Sequence, residues 1–286
     1  MLVPRHSCCP QRGRSVRMTV LRAFFIAFSM YSRIPVPHFV WQERDMRYAL
    51  CFFPAVGAVI AVLSYAWLWL CGLRGADGML RPLVLLCIPL AVTGGIHLDG
   101  FMDTSDALAS FRGKEEKLAI LKDSHIGAFA VIRLLGFVLL FLAGALVLPP
   151  VVPPAQSPCL SGGICRPAAA WTLLFVLARS LSGIAVVTFP AAKKEGVLYT
   201  FAQGAARLQV RCILVAEALL CAGAMCMLSP LYGGCIVVLS LVCFVRYLLM
   251  SRRQFGGISG DLAGWFVCTC ELWGTVAAGG ISWLCC

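Results

Sequence analysis

The chain has 286 residues, 60% of them hydrophobic and only 13% charged, with a mean hydropathy of +0.87. Soluble domains carry about 25% charged residues, so this composition excludes an ordinary soluble protein and points to one that crosses a membrane several times. The formal net charge of +11 does not point to nucleic acid, because the basic residues cluster between apolar runs, which is the membrane-topology pattern.

In lipid a backbone must satisfy its own hydrogen bonds, and long apolar runs do so as helices. The expected fold class is all-α: a polytopic integral membrane helical bundle of about seven spanning helices plus an N-terminal interfacial helix. Residues 1–17 read as a polar extension carrying Arg5, Arg12, Arg14 and Arg17, and residues 18–286 as a single membrane-embedded catalytic domain. No small-residue cleavage site follows the apolar stretch 18–31, which argues against a signal peptide and makes Met18 a candidate start. That stretch, broken only by Arg22, is short enough to lie at the interface. Runs of spanning length, ~20 residues, follow at 48–72, 82–98, 126–148, 168–189, 210–229, 231–250 and 263–284. The 82–98 run is short and ends in Gly94-Gly95, so it reads as broken or partly re-entrant.

Lys and Arg number eight in 1–47, two in 73–81, four in 99–125, one in 149–167, four in 190–211, none at the turn near Pro230 and two in 251–262. This alternation predicts a cytoplasmic N-terminus and an outer C-terminus. Nearly all carboxylates then fall in cytoplasmic loops, so a site is expected on the cytoplasmic face. The Pro-, Ser- and Gly-rich segment 149–167 reads as a spacer. The 16 cysteines are scattered along apolar runs, where Cys behaves as a small hydrophobe, and no spacing suggests zinc or a disulfide framework.

Residues 94–106 read Gly-Gly-Ile-His-Leu-Asp-Gly-Phe-Met-Asp-Thr-Ser-Asp. A helix turns ~100° per residue, so Asp99, Asp103 and Asp106, at i, i+4 and i+7, fall within roughly 60° of one another. The chain has only 13 acidic residues, and a one-faced triplet stands out from that background. Acids do favour helix N-termini, and Asp-Gly is a common turn. Three stacked carboxylates nonetheless repel one another unless a cation joins them, and hard oxygen ligands suit Mg²⁺, Mn²⁺ or Ca²⁺. His97 is placed to ligate, donate a proton or cap.

Three further clusters carry polar chemistry. Lys122-Asp123-Ser124-His125-Ile126-Gly127 precedes a spanning run; Asp123 or Ser124 suits a helix cap, and the helix N-terminus suits a phosphate. Lys193-Lys194-Glu195-Gly196 reads either as a positive anchor or as a phosphate contact. Residues 252–261 join Arg252 and Arg253 to a glycine-rich stretch ending in Gly260-Asp261. Their amides can approach a phosphate closely and Asp261 resembles a further metal ligand, although a plain turn competes with this reading. Arg133, Arg179, Arg246, Glu217 and Glu271 lie within or near apolar segments and are functional candidates by default; the two glutamates are candidate partners for the arginines. A carboxylate-held metal beside cationic, glycine-rich loops at a membrane edge suits phosphoryl or phosphodiester transfer.

The 94–106 stretch closely resembles the signature of the cobalamin synthase family, the adenosylcobinamide-GDP ribazoletransferases. Tyr31-Ser32-Arg33-Ile34-Pro35-Val36-Pro37 looks like that family's N-terminal segment, and Phe53-Pro54-Ala55-Val56-Gly57 like its proline-glycine helix start. Lys122 to Gly127, Lys194-Glu195-Gly196, and Gly260-Asp261 with Glu271 also fit in order. The resemblance runs from about Met18 to the C-terminus. The chain departs from it in the 1–17 extension, in the long 149–167 loop and at Ala191-Ala192-Lys193.

The resemblance implies a multi-pass protein of the cell (inner) membrane acting late in cobalamin biosynthesis. It implies joining of adenosylcobinamide-GDP to α-ribazole, or its 5′-phosphate, with release of GMP and a requirement for Mg²⁺. Taken with the residue pattern, the expected catalytic residues are Asp99, Asp103 and His97, and the expected metal ligands Asp99, Asp103, Asp106 and Asp261. Substrate or phosphate contacts are expected from Lys122, Asp123, Ser124, His125, Lys194, Glu195, Arg252, Arg253 and Gly260. The expected partners are the two substrates and the lipid bilayer, with a homo-oligomer left open and no nucleic acid.

Two alternatives stand beside this reading. A CDP-alcohol phosphotransferase of lipid synthesis shares acidic chemistry at the membrane interface. Its motif pairs Asp-Gly with Ala-Arg and a later Asp pair, whereas Gly100 here is followed by Phe101-Met102-Asp103. An ion-coupled transporter would place its acids near the midplane between inverted repeats; no repeat is visible in this chain.

Overall fold

Helices follow the apolar runs closely. A computed structural model describes residues 16–37, 43–76, 78–123, 125–149, 151, 166–192 and 206–285. Helix α1 (Val16–Tyr31), α2 (Glu43–Met46) and a 3₁₀ turn (Ala49–Phe52) lead into α3 (Phe53–Arg74). Then come α4 (Leu80–Thr93), α5 (Ile96–Ala109), α6 (Lys114–Ile120), α7 (Ala128–Leu146), α8 (Arg166–Thr172) and α9 (Leu174–Thr188). The chain closes with α10 (Arg207–Leu228), α11 (Pro230–Met250), a π turn (Ser251–Phe255) and α12 (Gly260–Cys285). Among the described residues the β structure is a single parallel bridge between Ala191 and Ile258.

Among the described residues, five helical stretches are long and apolar enough to cross a membrane: Ala49–Arg74, Ala128–Leu146, Arg166–Thr188, Arg207–Leu228 and Pro230–Phe255. A sixth arises if α4 and α5, bent by 97°, count as one broken span. The all-α membrane bundle is as expected, with five or six such spans where about seven runs were marked. The difference lies in α12. It has 26 residues, but Glu271 and its small polar residues dilute its apolarity. It lies largely inside the bundle, against α5, α11, α7 and α9.

The helix ends obey local rules. Pro54 stands in the first turn of α3, where a missing N–H costs nothing, and Gly75 closes that helix with a left-handed φ of 60°. Gly94 and Gly95 have φ of 68° and 84°, a region glycine enters freely. The Gly94 N–H donates to Leu90 O at 2.8 Å, and the Asp99 N–H donates to Gly95 O at 2.9 Å. One helix therefore ends and the next begins at adjacent residues, which is what turns the chain. Arg33 buttresses this bend: its N–H donates to Val92 O at 2.8 Å, and its side chain fills the space beside Gly94. Ser259 opens α12, its Oγ accepting from the Leu262 N–H at 3.2 Å, the usual N-cap arrangement.

Between α9 and α12 the core holds an ion pair. Arg179 Nη1 donates to Glu271 Oε1 at 2.6 Å and to Phe175 O at 2.9 Å, with both side chains almost wholly buried. The expectation that Glu271 pairs with an intramembrane arginine is met by Arg179. Cys221, Cys243, Cys268 and Cys270 are buried in the apolar interior, consistent with Cys acting as a small hydrophobe.

Candidate active site

The end of α1, the starts of α3, α5 and α12, and the last turns of α9 meet at one end of the bundle. Two glycines let α5 and α12 touch there. A Cβ on Gly100 would fall 2.7 Å from Asp261 O and 2.8 Å from its Cα; one on Gly264 would fall 2.9 Å from His97 O. Backbone lies on backbone at this crossing, and Asp261 from the first turn of α12 joins the acidic face of α5. Asp103 is half-buried and feels the charges of Asp99, Asp261 and Asp106. Like charges this close oppose one another's ionisation, and either a cation or a proton relieves them.

The donor set is entirely carboxylate oxygen, which fits a hard divalent cation such as Mg²⁺. Among the described residues no three His, Cys, Asp or Glu side chains close into a ready cage, so the acids border the site without enclosing it. Asp106 has a second task. Its Oδ1 accepts from the Ala130 N–H at 3.1 Å in the first turn of α7, and Gly127 has no side chain to obstruct that carboxylate. One oxygen of Asp106 is thus committed to helix capping.

Among the described residues, two hollows flank the stripe. On one side, Asp99, Asp261 and Gly260 edge a cavity of about 360 Å³ whose walls include His97, Tyr31 and Phe53. His97 is 9% exposed, and its Nδ1 has no hydrogen-bond partner among the described residues. On the other side, Asp106, Arg112, Asp123 and His125 line a wider, more open hollow of about 600 Å³. Asp123 Oδ1 accepts from the His125 N–H at 3.0 Å and meets His125 Nδ1 at 2.6 Å. The His125 hydrogen bonds hold the Asp123 carboxyl below its ordinary value.

Of the residues expected from sequence, His97, Asp99, Asp103, Asp106, Gly260 and Asp261 gather here, and Asp123 and His125 border the same stripe. Lys122 is exposed. Arg252 and Arg253 are exposed on the π turn, and Arg253 lines a separate apolar groove with Arg246 and Trp265. That turn is tied to α6 by buried Lys117, whose Nζ donates to Gln254 Oε1 at 2.6 Å. Ser124, Lys194 and Glu195 lie outside the described residues. The chain leading toward Lys194 is pinned to the glycine-rich loop, with the Ala192 N–H donating to Ile258 O at 2.8 Å and the Ile258 N–H to Pro190 O at 3.0 Å. Of the smaller cavity's lining, Tyr31 and Phe53 stand out in the sequence only as the first residues of two family-like stretches, and Ser182 carries no local signal.

Fold and site together define an all-helical membrane protein built around a carboxylate cluster at a broken helix. The family model described as cobalamin-5-phosphate synthase matches residues 23–279. This chain belongs to that family, a family of transferases. It is 40% identical over 255 residues to an adenosylcobinamide-GDP ribazoletransferase of Lachnoclostridium phytofermentans, covering 89% of this chain and 92% of that one. It is 29% identical over 260 residues to the protein of the same name from Clostridium perfringens, with 90% and 97% covered. It is 31% identical over 256 residues to that from Desulfitobacterium hafniense, with 86% and 92% covered. No solved structure matches the chain. The phosphotransferase of lipid synthesis and the transporter give way to this family.

Proposed function

We propose that this chain joins adenosylcobinamide-GDP to α-ribazole, or to its 5′-phosphate, and releases GMP, working at the cytoplasmic face of the cell membrane. The observation that carries the reading is the glycine crossing of α5 and α12, which sets Asp99 and Asp261 beside one cavity, with Asp103 within reach of both charges, in a chain of this family. The charge alternation of the loops supports the cytoplasmic placement.

Asp99, Asp103 and Asp261, with the uncommitted oxygen of Asp106, would hold Mg²⁺, which when bound supplies charge neutralisation for a diphosphate. A ribose hydroxyl of the ribazole attacks the phosphorus attached to the cobinamide arm. A new P–O bond forms as the bond to the departing GMP breaks. Asp103, crowded by three other acids, takes the hydroxyl proton, and such general-base assistance contributes roughly 10²–10⁴-fold. The 190s segment, which carries Lys194 and is hydrogen-bonded to the glycine-rich loop at Ala192, steadies the leaving nucleotide. Buried His97 and the apolar cavity wall exclude water from the acceptor's hydroxyl.

The test is direct. Membranes containing the chain are given adenosylcobinamide-GDP, α-ribazole and Mg²⁺, and GMP release is followed. Absence of GMP from folded protein overturns the reading.

A further inference from the structure

The two hollows differ in kind. The smaller is enclosed and mostly apolar; the larger is open and bordered by Arg112, Asp123 and His125. Small-molecule sites run ~300–1,000 Å³, so about 360 Å³ admits a nucleoside and excludes a corrinoid. Its walls carry flat rings. Tyr31 and Phe53 have centroids 4.3 Å apart with planes tilted 37°, and Phe53 and His97 have centroids 5.6 Å apart at 32°. Leu50, Val186 and Ala263 are among the apolar side chains that line the rest of it.

We infer that this cavity seats the bicyclic aromatic base of the acceptor nucleoside; the inference rests on the transferase reading for the identity of that nucleoside. The base lies against Phe53 and Tyr31, where offset aromatic contact is favourable. His97 Nδ1, buried and without a partner among the described residues, meets a polar atom of the nucleoside, since a buried polar group left unmet is costly. Asp99 and Asp261 at the same cavity then face the ribose, so the attacking hydroxyl emerges among the acids. Guanine is also bicyclic, and Asp99, Asp261, Ser182 and the Tyr31 hydroxyl at the same cavity offer it polar partners, so competition between α-ribazole and GMP is what decides between the two bases. On this assignment the donor's nucleotide is left to the open hollow.

The experiment uses the full chain in detergent. Binding of α-ribazole is titrated calorimetrically in EDTA, with and without GMP, and KM is measured for each substrate. Wild-type protein binds α-ribazole without metal, and GMP does not displace it. Ala263→Leu, which narrows the cavity, weakens α-ribazole binding and raises its KM about tenfold while leaving the KM for adenosylcobinamide-GDP unchanged. Val186→Ala, which widens it, gains turnover with a riboside carrying a larger fused-ring base. Displacement of α-ribazole by GMP, or an Ala263→Leu effect confined to adenosylcobinamide-GDP, overturns the assignment, as does normal α-ribazole affinity in both variants. Wild-type protein that binds α-ribazole yet yields no GMP would instead sink the transferase reading and leave the cavity assignment standing.

Discussion

Gly100 lies directly on the backbone of Asp261: a methyl group there would sit 2.7 Å from its carbonyl oxygen and 2.8 Å from its Cα. This contact sets the distance between the acidic face of α5 and the first turn of α12. Gly100→Ala should gain about 0.5–1 kcal/mol in helix propensity and lose about 1–3 kcal/mol to overpacking, so the clash wins. The expected result is a lower Tm in detergent with a larger loss of kcat, because Asp261 is pushed away from Asp103. Unchanged kcat would show that the crossing does not set the site.

Asp103→Asn should abolish Mg²⁺-dependent GMP release while leaving membrane insertion intact. It also removes one like charge from a crowded set. In EDTA the variant should therefore melt above wild type, whereas added Mg²⁺ should raise the wild-type Tm more than the variant's, since a ligand that binds only the folded state stabilises it. Differential scanning fluorimetry across a Mg²⁺ titration reads both effects. Equal Mg²⁺ shifts in the two proteins would remove Asp103 from the metal site.

The two tasks of Asp106 can be separated. Asp106→Ala loses the cap on α7 and should cost about 0.5–2 kcal/mol. Asp106→Asn keeps an acceptor for the Ala130 N–H, so its Tm should stay near wild type while turnover falls with the lost charge. If Asp106→Asn retains full turnover, Asp106 serves α7 alone.

The Arg179–Glu271 pair makes a prediction about folding. Arg179→Met leaves Glu271 buried without its partner and should cost about 3–5 kcal/mol. The double change Arg179→Met with Glu271→Met should recover most of that, because an apolar pair of similar volume replaces two buried charges. Folded yield and Tm of wild type and the two variants in detergent check it; a double variant as unstable as the single would mean that the pair has a further structural role.

Much of the fold was legible along the chain. The apolar runs at 48–72, 126–148, 210–229 and 231–250 became helices because a backbone in lipid has few other ways to satisfy its hydrogen bonds. Gly94-Gly95 announced a break, since two adjacent residues at positive φ end one helix and start another. The stripe of Asp99, Asp103 and Asp106 followed from helical periodicity alone. The 263–284 run forms a helix of 26 residues, but Glu271 and its small polar residues leave it less apolar than the other spans, and its place inside the bundle is not written in its own sequence.

By itself, then, the sequence determined which segments are helical, where the chain bends and which face of α5 is acidic, all consequences of spacing within one element. Only the tertiary structure decided that the backbone of Asp261 packs on Gly100 beside the acidic face of α5, that Asp106 caps α7, and that Tyr31, Phe53 and His97 line one cavity. These pairings join residues as far apart as 100 and 261. They depend on side-chain volume at a crossing point, where the absence of a Cβ at Gly100 and Gly264 brings two backbones together, and no local pattern encodes which distant backbone will fill that space.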